Sequence, residues 1–139
     1  MTTSSEQLHT EGFTVLDEEQ CLAYLHYGVV GRVAVTIGAI PAVLPVNYLE
    51  DLGAIYFFTA AGTKLDAALH EAVVAFEVDG YDQLTEWGWS VLAVGIASEV
   101  HDREVREHVT GLGLHPWAKG PRDHLIRIWP EFLSGRETA

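Results

Sequence analysis

A chain of 139 residues, 48% hydrophobic and 20% charged, has the length and balance of one folded domain, and this excludes disorder over most of its length. Its net charge of −12 opposes binding to nucleic acid or to an anionic membrane surface, because both depend on Lys and Arg replacing condensed counterions. No apolar run could span a bilayer, the start MTTSSEQLHTEG lacks the cationic flank and apolar centre of a secretion signal, and the lone Cys21 allows no internal disulfide, so a soluble, cytoplasmic protein is expected.

Residues 1–14 are polar and aperiodic and read as a flexible N-terminal tail, with residues 15–136 as a single domain. Asp17 then fits as an N-cap, with Glu18 and Glu19 in the first turn, Gln20 at the capping-box position, and Leu16 and Cys21 as a hydrophobic staple. The helix runs about three turns and closes at Gly28. Cys21 lies on its apolar stripe and reads as a small buried hydrophobe, since nothing nearby would stabilise a thiolate. Val29 to Ile37 is β-branched and alternating, and Gly31 marks a place to bend.

The runs Pro41 to Leu49 and Ala54 to Thr59 flank the turn residues Glu50-Asp51-Leu52-Gly53 and read as a hairpin. Pro45 cannot donate to a sheet ladder, so pairing is expected to fail there and free backbone groups beside Asn47 and Tyr48 for a flat polar ligand; otherwise it marks an edge strand. Thr63 follows as an N-cap, with Asp66 three residues on, opening a helix to about His70. Its first N–H groups, its dipole and the Lys64 ammonium make a plausible phosphate seat, or else an ordinary cap.

Ala72 to Asp79 is a strand that places Val74, Phe76 and Val78 on one face and Glu77 and Asp79 on the other, before a turn at Gly80-Tyr81-Asp82. Trp87 to Val100 is the longest strand, and its Gly88 and Gly95 suit sharp coiling in a small barrel. Asp102 caps a short helix to about Thr110, Gly113 to Pro121 is loop, and His124 to Trp129 is a last strand before Pro130 and a charged tail. About six strands, two or three short helices and no βαβ alternation favour an antiparallel barrel over a doubly wound sheet.

Between Met1 and Asp102 the only Lys or Arg residues are Arg32 and Lys64, against fifteen carboxylates. A small anion such as a phosphate group would explain two cations so isolated; simple surface pairing with carboxylates is the alternative. His101, His108 and His115 are spaced by seven, but Gly111 and Gly113 interrupt any helix that would align them, so no metal site is expected from them. Ser90 and Ser98 lack the flanking glycines of a nucleophile elbow.

The segments VGRVAV (Val30 to Val35), IPAVLPVNY (Ile40 to Tyr48), FFTAAGTKL (Phe57 to Leu65), VAFEVDGYD (Val74 to Asp82) and GWSVLAVGIASEV (Gly88 to Val100) together resemble, in order and spacing, the flavin-binding split β-barrel family related to pyridoxamine 5′-phosphate oxidase. That resemblance implies a mainly β fold, a six-stranded, Greek-key-like antiparallel split β-barrel, with FMN bound between the subunits of a homodimer. It also implies that the backbone of Pro45, Val46, Asn47 and Tyr48 lies along the isoalloxazine ring, and that Thr59, Ala60, Gly62, Thr63 and Lys64 hold the ribityl phosphate. Arg32 would be a second cation, and Trp89 and Ser90 would reach the flavin from the partner chain, although Trp87 and Trp89 serve equally well as interface anchors.

The chain is shorter than the pyridoxamine phosphate oxidases themselves, and their additional substrate-phosphate residues near the C-terminus are not located in it. Related small barrels bind the deazaflavin F420, whose acidic tail suits a more basic groove. The expected function is a flavin-dependent oxidoreductase acting on a small molecule, with His115 or His124 the candidate acid or base, neutral-range imidazoles being suited to that task. The alternative is a non-enzymatic flavin or F420 carrier or sensor using the same pocket.

Overall fold

The computed structural model describes residues 12–116 and 123–138. The first eleven residues of the expected tail and residues 117–121 of the Gly113 to Pro121 loop lie outside them. In chain order the elements are β1 (Phe13–Val15), α1 (Glu18–Tyr27), β2 (Val30–Ile37), β3 (Ile40–Asn47), β4 (Leu49–Asp51), β5 (Ala54–Ala60), α2 (Lys64–Ala68), β6 (Ala72–Asp82), β7 (Trp87–Glu99), α3 (Arg103–Gly111) and β8 (Asp123–Thr138). None of the described helices is long and apolar enough to cross a membrane.

The fold is mainly β. An eight-stranded sheet runs β3-β2-β6-β7-β8-β5-β4, with β1 paired to β8, and every pairing is antiparallel. The two strands beyond the expected six have identifiable causes. Phe13 to Val15, placed largely in the tail by its polar surroundings, pairs with Arg136 to Thr138. The single run Pro41 to Leu49 divides at Tyr48, where the chain leaves one end of the sheet and joins the other.

That division corrects the expected hairpin. Ile40–Asn47 pairs along its whole length with Val30–Ile37, through a two-residue turn at Gly38 and Ala39, both with positive φ, the backbone that a tight hairpin of this hand needs. Only Leu49–Asp51 pairs with β5, through Leu52 and Gly53, also at positive φ. Pro45 stands opposite Arg32 in unbroken register. Pairing does not fail there, because β3 ends the sheet and an edge strand tolerates a residue without an N–H.

The last strand also runs past its expected end at Trp129, to Thr138. Gly95 pairs with Pro130 and Val94 with Phe132, so β8 carries one extra residue at a bulge; the proline sits where the ladder is already irregular. A Cβ on Gly95 would collide with the Trp129 carbonyl, which explains a glycine inside so long a strand. β6 likewise continues to Asp82, and the turn falls at residues 83–86, where Asp82 Oδ1 accepts from Leu84 N at 2.8 Å.

The caps follow the sequence. Asp17 Oδ1 accepts from Gln20 N at 2.8 Å, and Gln20 Oε1 accepts from Asp17 N at 2.9 Å, so each side chain satisfies an otherwise orphaned donor of α1. Cys21 and Leu25 turn into the core with no exposed surface, and Val74, Phe76 and Val78 meet them from β6. Phe76 packs edge-on against Tyr48 at 4.8 Å and lies 6.4 Å from the Phe57 ring. Each buried phenyl contributes about 1.5–3 kcal/mol relative to exposure. A second cluster, with Tyr56, Val109, Leu114 and Leu125, lies beneath α3.

Candidate functional site

A curled sheet that is not closed by hydrogen bonds leaves a split between its two ends. Here β3 is one end, and β5 beyond its short pairing with β4 is exposed at the other. Pro45, Val46 and Asn47 line one wall of a cleft of about 170 Å³, Phe58, Thr59 and Ala60 the opposite wall, with Leu65 and His115 completing it. A neighbouring hollow of about 300 Å³ shares Asn47 and His115 and reaches Gly28, Leu49 and Leu112 to Leu114. The strand edges offer backbone donors and acceptors, and the side chains are mostly apolar, a surface suited to a flat, partly polar ring.

Tyr48 supports this arrangement from behind. Its hydroxyl donates to the Leu25 carbonyl at 2.6 Å, and its N–H donates to the Val29 carbonyl at 3.0 Å. The side chain is 4% exposed, and burial pushes the phenol well above its ordinary value. The side chain therefore serves the core, while the residue also borders the larger hollow. Gly28 makes room, since a Cβ there would meet the Tyr48 hydroxyl.

The expected phosphate seat is more occupied than its spacing suggests. Thr63 Oγ1 caps α2, accepting from Asp66 N at 3.0 Å and donating to the Ala60 carbonyl at 2.9 Å. The Thr59 hydroxyl donates to Asp66 Oδ1 and Gly62 N–H to Asp66 Oδ2, both at 3.0 Å, and His124 Nδ1 lies 2.9 Å from Oδ1. Burial alone would raise the Asp66 carboxyl, but the Gly62 amide, His124 and Thr59 outweigh it and hold the group below its ordinary range. A buried carboxylate thus takes donors that the sequence offers to an external anion.

Lys64 makes no ion pair among the described residues. It borders a hollow of about 550 Å³ between α2 and the β2–β3 turn. Arg32 does not join it. Its Nη1 lies 3.1 Å from Glu77 Oε1 and 3.3 Å from Asp79 Oδ1 on the outer face of β2 and β6, the simple pairing already open to it from sequence. Burial, then the neighbouring Asp79, push the Glu77 carboxyl up to about 7 against the opposing pull of Arg32.

Trp89 and Ser90 do not line the cleft within this chain. Trp89 stacks on Tyr24 at 4.3 Å, and Ser90 borders a separate hollow with Val15, Leu92 and Arg136. Of the two candidate histidines, His115 is in the cleft and His124 turns toward Asp66. His101 lies beside Glu99 at 3.8 Å and His108 beside Asp51 at 3.1 Å, so the three histidines spaced by seven face different neighbours. Sequence reasoning missed a further cluster: Asp66, His70 and His124 present ligand atoms within 4.8 Å of one another. The separation of Asp66 and His70 by four was its one local signal.

The family model described as pyridoxamine 5′-phosphate oxidase matches residues 17–137. The chain is 35% identical over 125 residues to the uncharacterized protein Rv0080 of Mycobacterium tuberculosis strain H37Rv, covering 86% of this chain and 82% of that protein. Among solved structures, it resembles an FAD-binding protein from Mycobacterium smegmatis with a TM-score of 0.81 at 31% identity, covering 90% of this chain and 98% of the other. An FAD-binding protein from Mesorhizobium loti matches with a TM-score of 0.76 at 26% identity, covering 91% and 99% of the two chains. The order of strands, the split between β3 and β5 and the match over nearly the whole described domain agree: the chain belongs to the pyridoxamine 5′-phosphate oxidase family.

Proposed function

We propose that this protein binds a flavin in the split between β3 and β5 and uses it as an oxidoreductase on a small molecule. The observation that carries the reading is the cleft itself, where Pro45 to Asn47, Thr59, Ala60 and His115 converge from both ends of the sheet. FMN, or the FMN half of FAD, fits that reading; the FAD-binding relatives from Mycobacterium smegmatis and Mesorhizobium loti support a flavin without choosing between the two. Lys64, with no carboxylate partner among the described residues, is the cation for its phosphate. The Thr59, Gly62 and Thr63 donors already engaged within the chain favour a seat built chiefly from Lys64 and free backbone N–H groups.

The flavin supplies electron or hydride transfer. The chain supplies orientation: the β3 edge aligns the ring, the apolar wall of Val46, Phe58 and Leu65 excludes water, and His115 is placed to hold or move a proton. At about 170 Å³ the cleft is smaller than the roughly 300–1,000 Å³ typical of ligand pockets, so a second wall is needed. A homodimer provides it. Leu92, Ile96, Trp129 and Phe132 are all exposed on the adjoining strands β7 and β8, an apolar surface of the kind that marks an interface. In that dimer Trp89 and Ser90 of a second copy approach the flavin.

The test is to titrate FMN and FAD into purified protein, following flavin fluorescence, with the dimer assessed by light scattering. Binding at one flavin per chain by a dimer supports the reading, and a monomer that quenches neither flavin overturns it. Binding of F420 in place of both would correct the cofactor. If flavin binds but nicotinamide donors and electron acceptors leave its spectrum unchanged, the function is that of a carrier or sensor.

A further inference from the structure

We propose that Asp66, His70 and His124, with Glu99 beside the two imidazoles, form a binding site for one divalent transition-metal ion of the zinc class. The four side chains come from α2, the turn after it, the end of β7 and the start of β8. Asp66 Oδ1 lies 2.9 Å from His124 Nδ1 and 4.0 Å from His70 Nε2, while Glu99 Oε1 lies 3.2 Å from His70 Nε2 and 3.6 Å from His124 Nδ1. Four ligands about 2.0–2.1 Å from a zinc ion stand roughly 3.3 Å apart when tetrahedral. These four carboxylate–imidazole separations bracket that edge length, and the ligand atoms of Asp66, His70 and His124 lie within 4.8 Å of one another, with Glu99 approaching through the two imidazoles.

Charge favours the same assignment. Asp66 and Glu99 carry side chains only 5% and 17% exposed, and among the described residues neither pairs with Lys or Arg. Two sequestered carboxylates facing two imidazoles need a cation, either protons on the histidines or a metal. Mixed imidazole and carboxylate ligands select zinc and its transition-metal neighbours over magnesium or calcium. Support from behind is already in place: the Thr59 hydroxyl and the Gly62 N–H each hold one Asp66 oxygen at 3.0 Å, as outer groups orient the ligands of metal centres. His70 and His124, 39% and 31% exposed, form the side from which an ion enters. Seating it needs His124 Nδ1 free of its proton, which shifts to Nε2 in a neutral ring or leaves to solvent from an imidazolium.

Thr59 has one face in the cleft and its hydroxyl on Asp66, so the ion would brace the cleft wall without touching a flavin. Its binding is therefore read with no flavin present. Tag-free, EDTA-dialysed protein is titrated with Zn²⁺ against a chromophoric chelator, and separately with Co²⁺ by visible absorption. One Zn²⁺ per chain and the intense cobalt bands of a four-coordinate site are expected. His70→Gln and His124→Gln should each weaken Zn²⁺ binding at least about tenfold, the scale on which even outer-shell groups tune a metal site. His26→Gln, which alters a histidine 74% exposed that pairs with Glu50 and with no group of the site, should leave it unchanged. Equal Zn²⁺ affinity in the wild type and the His70→Gln/His124→Gln double variant would overturn the proposal. Should either variant misfold, imidazole nitrogen NMR of the wild type decides: Zn²⁺ must move the His70 and His124 resonances and spare those of His26, and any other pattern refutes the site.

Discussion

The Tyr48 hydroxyl donates to the Leu25 carbonyl at 2.6 Å, and through that bond the last turn of α1 holds the corner where the chain passes from β3 to β4. Tyr48 thus ties this corner, next to the cleft, to α1 and to the Val29 carbonyl, while β3 and β5 are held by their own pairings. Tyr48→Phe removes the hydrogen bond and leaves a buried carbonyl without its donor. We expect a loss of about 1–3 kcal/mol, measured by urea denaturation; an unchanged midpoint would show that the corner is held without the hydroxyl, by packing on Phe76 and the Tyr48 N–H bond to Val29.

Gly95 faces the Trp129 carbonyl so closely that no Cβ fits, and the obstacle is backbone rather than a flexible side chain. Gly95→Ala must displace β8 at its bulge, at a cost of at least about 1–3 kcal/mol, the range for overpacked sites. Thermal unfolding followed by circular dichroism checks this, and a stability equal to wild type would mean that the bulge is free to move.

Lys64 carries no ion pair among the described residues and borders an open hollow between α2 and the β2–β3 turn. Lys64→Ala should weaken flavin binding by about 1.5–3 kcal/mol, the worth of a hydrogen bond to a charged group. Folding stability should stay within about 0.5 kcal/mol, as for an ordinary surface change. Affinity indifferent to the substitution would move the phosphate away from α2.

Glu77 titrates at about 7 in the folded protein, first because it is buried and next because Asp79 lies beside it, while its ordinary value is 4.5. Across that interval the unfolded chain releases the proton and the folded chain keeps it. Its contribution to stability therefore falls as pH rises from 4.5 to about 7 and is level above. Asp79 is shifted downward from 3.8 and acts only below this window. In Glu77→Gln the decline should vanish, so that the stability difference, variant minus wild type, grows steadily with pH across the interval. Denaturation midpoints at a series of pH values measure it, and parallel curves would refute the assignment.

Local chemistry was legible before any fold was known. Asp17 and Gln20 announce the start of α1, Thr63 the start of α2, Asp102 that of α3, and each cap forms as its spacing requires. The alternation of Val74, Phe76 and Val78 identifies the inner face of β6. The residues Pro45 to Asn47 and Thr59 to Ala60, singled out through their family resemblance, do meet in one cleft. Such signals depend on neighbours within a turn of helix or a few residues of strand, and that information is written in the chain itself.

Partnership was not legible. Nothing in Ile40 to Asp51 says that its first eight residues pair with β2 and its last three with β5, because strand pairing is decided by which surfaces can be buried together. Pro130 would end an isolated strand, yet it stands within β8 because β7 supplies a glycine opposite it at the bulge. The donors of the expected phosphate seat are indistinguishable in sequence from free ones; only the packing of β8 against β5 brings His124 to Asp66 and shows those donors committed. Sequence alone thus determined where elements begin and which residues are apolar, whereas tertiary structure decided which polar groups remain available, since availability depends on every neighbour that folding brings within hydrogen-bonding distance.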